Sequence, residues 1–402
     1  MLDLFNVSIL LVATTLTIYL AFSKKLSRSE NWLATITPLS SIMGSGFLVC
    51  APLLAHVVGV YSVFYMAALL MMAYAVGSAI RFNIAHFEPL EGKPGLAQEI
   101  ALVSRFILAG AYFISITYYL QLLSAFALNA FHIKNHLASN FLTTTLLVII
   151  GISGTWRGFS GIEKLEKYIV SLNLGMIAAL LWALGYHNTY LAVRGQWALP
   201  DMDSNLSFHD LRVVLGLLIV VQGFETSRYL GDSFSRELRI KTMSRAQLLS
   251  SIIYLTFIAL ATVLFQNQVS ADVTGILKMM APIALVLPIL LSVAAIFSQF
   301  NASLADTESA AGLIGDLSHN EIPLRFNYAI ITLICIVLTW TANVNQIIAH
   351  ASRAFALFYA LQCLVAFAVA KKDPKHSRGT TLKFAALALL CFVVFILGIP
   401  SG

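Results

Sequence analysis

The sequence predicts an all-α integral membrane protein of about twelve transmembrane helices, and three observations carry that prediction. Of its 402 residues 59% are apolar and only 11% charged, whereas a soluble domain has about 25% charged residues. The mean hydropathy is +0.83. The apolar residues gather in runs long enough to cross a hydrocarbon core of about 30 Å, without the two-residue alternation of a membrane barrel. A backbone in lipid must satisfy its own hydrogen bonds, so such runs are helices.

Six runs lie near residues 4–22, 33–57, 59–82, 101–130, 140–156 and 164–186, and six more near 209–229, 245–267, 284–315, 325–343, 349–370 and 381–399. The first follows "MLDLFN", with acidic Asp3 and no basic n-region, and runs into "KKLSR" without a small-residue cleavage site. It reads as a retained span rather than a signal peptide. Basic residues set the orientation. Lys24, Lys25, Arg28, Arg81, Lys93, Arg157, Lys164, Lys167, Arg236, Arg239, Lys241, Arg245, Arg325, Lys371, Lys372, Lys375 and Arg378 share one face, against mainly Lys134, Arg194 and Arg212 on the other. The positive-inside rule then puts both termini outside, in a multi-pass protein expected in the cell (inner) membrane.

Residues 1–30 form an extra helix, 31–187 a first half of five spans, 188–208 an outer loop, 209–371 a second half of five, and 372–402 a last helix. Five spans per half force the halves into opposite orientations. Each half opens on a polar, glycine-containing interruption: "GSGF" at 44–47 and "QGFETSR" at 222–228. Two discontinuous helices at matching places in inverted halves point to a transport site near the bilayer midplane. Unwound carbonyls there can bind a cation, and half-helix N-termini an anionic group. Taken alone, Gly44, Ser45 and Gly46 read rather as a small-residue packing face; the second interruption at the matching place reverses that preference.

"GSGFLVCAPLLAHVVG" resembles the first core helix of the amino acid-polyamine-organocation superfamily, and "GFETSRYLGDSFSRELRIKTMSRAQ" its sixth core helix and following loop. The extra leading span is similar to the arrangement in the sodium-solute symporter family, as is "AAIFSQFNASLADTESAAGLIGDLS" to that family's cation-site helix. The resemblance implies a five-plus-five inverted-repeat fold and solute transport by alternating access. It also implies a possible sodium site built from carbonyls near Ser41 with Asn301 and Ser303.

The substrate-site candidates are Gly44, Ser45, Gly46, Tyr118, Gln222, Gly223, Glu225, Thr226 and Ser298; the ion-coupling candidates are Ser41, Asn301, Ser303 and Asp306. Glu225 leads, because an ionised group inside a span is costly unless paired or hydrated. It serves as counter-charge to a cationic solute or as a proton carrier, or it pairs locally with Arg228 three residues on. Asp306 is a proton site or a hydrated end of its helix; sodium and proton stay level as coupling ions. "VTGILKMMAPIA" at 273–284 reads as a short outer helix, Arg353 as a snorkelling residue or a carboxylate contact, and the basic segment 236–245 as a loop on lipid headgroups.

Four cysteines lie within apolar runs without metal spacing, and nine histidines form no paired motif. No cofactor is expected beyond the possible sodium ion, and the net charge of +6 follows the membrane topology rather than a nucleic-acid partner. A catalytic cluster of the kind an enzyme acting on lipids needs is missing from the sequence. The expected partners are a small polar solute, such as an amino acid or amine, and the lipid bilayer. A transporter-like sensor is the alternative.

Overall fold

The computed structural model describes residues 2–133, 135–157, 163–202, 206–231, 233–265, 272–319, 321–374 and 376–401, with the side chains of Leu2, Asp3, Ser27, Ser45, Arg157 and 163–166 outside that description. Long apolar runs become helices: α1 Leu2–Phe22, the single turn α2 Lys24–Ser27, α3 Glu30–Val58, α4 Ser62–His86, α5 Leu96–Ala130, α6 His136–Arg157 and α7 Glu163–Val193. The second half holds α8 Phe208–Leu215, α9 Arg236–Ala261, α10 Gly275–Met280, α11 Val286–Leu317, α12 Leu324–Thr341, α13 Val344–Lys372 and α14 Arg378–Leu397. No strand occurs among the described residues. Polar caps mark where helices begin: Ser29 accepts from Trp32 N, and capping boxes Ser207–Asp210 and Asn343–Gln346 open α8 and α13.

Among the described residues, ten stretches are long and apolar enough to cross a membrane. The second of them, Glu30–His86, is two helices, α3 and α4, joined by a 3-10 turn at Gly59–Tyr61. The apolar run at 208–229 lies outside the ten, because two 3-10 stretches, Leu218–Val221 and Phe224–Tyr229, replace the α-helix after α8.

The packing has an internal symmetry. Counting α8 with its 3-10 stretches as one span, α3–α7 correspond in order to that span, α9, α11, α12 and α13. Under this exchange α4 on α9, α5 on α11 and α6 on α12 each map onto themselves. The α5–α13 contact maps onto α11–α7, and α5–α6 onto α11–α12. The extra helices obey it as well, α1 lying on α7 and α14 on α13. This is the five-plus-five arrangement with one added helix at each end.

One expectation fails locally: the first core helix is not discontinuous. The α3 backbone stays helical through Gly44–Gly46. The reason is packing. A Cβ on Gly46 would lie 2.6 Å from the Val220 Cα, and one on Gly44 3.2 Å from the Ser298 hydroxyl. The glycines let the second half's interrupted span and α11 approach the α3 backbone, so the small-residue reading is the correct one there.

The second interruption is real. Gly223 adopts φ +109° with Ser41 and Ile42 backbone closing on it, a conformation and a clearance that only glycine combines. Side chains replace the lost helical bonds: Ser352 accepts from Ile219 N at 2.9 Å, and the Tyr254 hydroxyl lies 2.6 Å from Val220 O and 3.1 Å from Ile42 O. Tyr254 thereby clasps the unwound span to α3.

Candidate functional site

The unwound span, α3, α5, α7 and α11 enclose a cavity of about 220 Å³. Helix α3 contributes Thr37, Ser40, Ser41 and Gly44; α11 contributes Ser298, Asn301, Asp306 and Ser309. Tyr112 and Tyr119 of α5, Asn173 of α7, and Thr226 and Tyr229 beside the break complete the polar wall. Asp306 is the sole carboxylate among the lining residues. Its Oδ2 accepts a short hydrogen bond from Ser115, a fully buried hydroxyl on α5. A carboxylate fixed in this way beside hydroxyls and amides can hold an ammonium group or exchange a proton.

Six of the proposed residues therefore meet at one wall: Ser41, Gly44, Thr226, Ser298, Asn301 and Asp306. Four lie behind it. Gln222 donates to the Tyr119 hydroxyl at 3.1 Å, and Gly223 supplies the turn. Gly46 packs on Val220. Tyr118 is fully buried beside Tyr119, and it is Tyr119 that lines the cavity. Ser303 is also fully buried, and its hydroxyl donates to Phe300 O in its own helix. The Ser45 side chain falls outside the described residues.

Glu225 stands apart from the cavity. It is 2% exposed, and its Oε2 accepts from the Tyr359 hydroxyl at 2.7 Å and from Gly223 N at 3.0 Å. Among the described residues no basic group pairs with it. The local bridge to Arg228 is not made: Arg228 turns to Glu91 at 2.9 Å and to the Gln362 amide oxygen. In a 3-10 turn residues three apart lie on one side, so the turn does not separate them; Tyr359 and Gly223 N hold Glu225 while Glu91 and Gln362 draw Arg228 away.

Beyond Tyr112, Tyr229 and Ser309, which line both spaces, the cavity continues into a vestibule of about 450 Å³ at the end of the bundle bearing residues 87–95 and 230–235. Charged groups latch its walls. Glu88 accepts two bonds from Arg239, at 2.7 and 2.9 Å, and Arg239 also donates to Arg228 O at 2.9 Å. Gln362 receives Asn83 at 2.9 Å on its backbone oxygen and gives its amide to Ser104 at 2.8 Å. The expected basic loop at 236–245 is instead the first turns of α9, with Arg239 5% exposed, so a carboxylate and not a headgroup is its partner. Arg353 likewise donates to Phe395 O at 2.8 Å, closing the end of α14.

The family model for an APC superfamily transporter matches residues 24–398. The chain belongs to the APC superfamily of transporters. An Aquifex aeolicus (strain VF5) protein described as uncharacterized is 40% identical to this APC-superfamily transporter over 396 residues, which cover 96% of this chain and 95% of the relative. Crystal structures of three mutants of the Eremococcus coleocola manganese transporter match it with TM-scores of 0.57 to 0.58 at 13% identity, over 90% of this chain and 85% of theirs. At that identity the likeness shows the fold alone. The family is one of membrane transporters, and the apolar helices are those of a multi-pass membrane protein.

Within the transporter, sequence reasoning did not single out Ser115, Asn173, Tyr254, Tyr359 or Gln362. Each is one polar residue in an apolar run, and only the neighbouring helix reveals what it touches. Asn173, in "SLNLG", had the clearest signal: an amide is expensive in a lipid-facing position and therefore faces inward.

Proposed function

We propose that this APC-superfamily transporter is a secondary active transporter of a small polar solute bearing an amino or other cationic group, with Asp306 as its anchor. The observation that carries the reading is the position of Asp306: a carboxylate steadied by Ser115, on the wall of a cavity otherwise lined by hydroxyl, phenol and amide groups. Small, enclosed, polar-walled sites at the break of a discontinuous helix suit a solute that must bind and leave. The manganese named for the structural relatives fits this wall less well. Manganese takes carboxylate, carbonyl and water oxygens, but a single carboxylate balances the charge of an ammonium group better than that of a divalent cation.

Alternating access would rock the first half against the second about this cavity. The positive-inside rule makes the latched vestibule the cytoplasmic mouth and leaves both termini outside. For the coupling ion, a sodium ion would draw on Ser41, Asn301 and the added Asn173, whose side-chain oxygens share the cavity wall. Gly44 O, expected among the ligands, is already taken by the Gln299 amide at 2.9 Å, and Ser303 faces elsewhere. A proton would use Asp306 itself.

Uptake of amino acids and amines into proteoliposomes, with a sodium or a proton gradient imposed in turn, tests the reading. Gradient-driven accumulation of an amine-bearing solute that disappears in Asp306→Asn supports it. Accumulation by the variant equal to that of the parent removes Asp306 as the anchor.

A further inference from the structure

On the opposite side of α5, and at the other end of the bundle from the vestibule, lies a second polar cavity of about 340 Å³. Its α5 wall is Gln121, Ala125, Leu128 and Asn129. At about 100° per residue, these positions project away from the Tyr112–Tyr119 face that borders the central cavity. The remaining wall comes from the start of α6 (His136, Ser139, Asn140), the turn before α10 (Asp272–Thr274) and the start of α13 (Asn343–Asn345). No residue lines both this space and the central cavity.

Several of its polar groups are occupied by structure. Asn135 caps α6 and Asn343 caps α13. The Asp272 carboxylate accepts from Thr274 N at 2.9 Å, from the Thr274 hydroxyl at 2.8 Å and from Lys278 at 3.5 Å. One buried amide is not so occupied. Gln121, 4% exposed at the floor, reaches Ala342 O only at 3.4 Å, and its Oε1 has no hydrogen-bond partner among the described residues. Asn140, 5% exposed, lines the cavity beside it. A buried amide oxygen left unpaired is costly, a cost that a bound polar molecule would relieve.

We infer that this cavity is a second ligand site, for a small uncharged polar solute of the amide or polyol class. Amides offer a donor and an acceptor together and match a ligand that does the same, while the one carboxylate in the wall is already satisfied. The site lies between α5–α6 and the turn leading to α10, which in turn packs on α3 and α11. Occupancy would brace the helices that carry the central cavity without entering it.

The test uses the full chain in lipid nanodiscs with acetamide, glycerol and glucose as probes, read by saturation-transfer NMR over a concentration series. At least one probe is expected to bind saturably. Gln121→Leu or Asn140→Ala should weaken it at least tenfold with unchanged helical circular dichroism, and Thr226→Val in the central cavity should leave it within twofold. Three outcomes overturn the inference: no saturable binding by any probe, binding indifferent to both outer variants, or binding lost equally in Thr226→Val.

Discussion

Tyr359 of α13 gives its hydroxyl to Glu225 across 2.7 Å, and the Gly223 amide, freed by the break in the helix, gives the second bond to the same oxygen. A carboxylate buried with two donors, and with no cation beside it among the described residues, is held by the geometry of the unwound segment. Tyr359→Phe removes one donor and leaves the acceptor buried, which should cost about 1–3 kcal/mol and lower the thermal midpoint. A midpoint equal to that of the parent would show that the bond contributes nothing to the fold.

Asp306→Asn should cut solute accumulation more than tenfold, about 1.4 kcal/mol or more of lost interaction. Ser115→Ala should cut it less, because Ser115 steadies the carboxylate without touching solute. Uptake kinetics separate the two roles: the Ser115 variant is expected to raise KM and retain most of the maximal rate. If both variants lose transport equally, Ser115 does more than position its partner.

Gly46→Ala forces a methyl group to within 2.6 Å of the Val220 Cα. Overpacking of this kind costs about 1–3 kcal/mol, and trimming Val220 to alanine should restore only part of it, since the backbone itself is in the way. Thermal unfolding in detergent checks both numbers. Full rescue by Val220→Ala would mean that the side chain alone sets the spacing.

The bonds from Glu88 to Arg239 and from Glu91 to Arg228 hold the vestibule in the shape described. Partly exposed ion pairs contribute roughly 1 kcal/mol or less each, enough to move a balanced conformational equilibrium several-fold. Ser309→Cys, at the junction of cavity and vestibule, should react with an impermeant thiol reagent added from the basic-loop face, and adding Glu88→Gln should slow that labelling several-fold. Unchanged labelling would show that the latch does not bias the equilibrium.

Sodium, if it is the coupling ion, should raise the thermal midpoint of the parent protein in a concentration-dependent way, and Asn173→Ala should abolish that rise. A rise that survives in the variant would exclude the α7 amide from the site.

The sequence by itself determined the membrane class, the approximate position of the spans, the pairing of two five-span halves and the polar run on α11, because hydropathy and the cost of buried charge act on each segment alone. Asp306, Asn301, Ser298 and Thr226 were legible for that reason: polar residues in apolar helices have to face inward. Only the tertiary structure decided what the glycines do. Gly44 and Gly46 sit in an unbroken helix and admit Ser298 and Val220, whereas Gly223, with φ +109°, makes the true break. It also moved Glu225 from the cavity to Tyr359 and carried Arg228 to Glu91, exchanging a neighbour three residues away for one 137 positions distant. Glycine in a sequence marks a permission; whether that permission serves an unusual dihedral or a close neighbour depends on which helix arrives beside it, and that is set by packing between segments far apart in the chain.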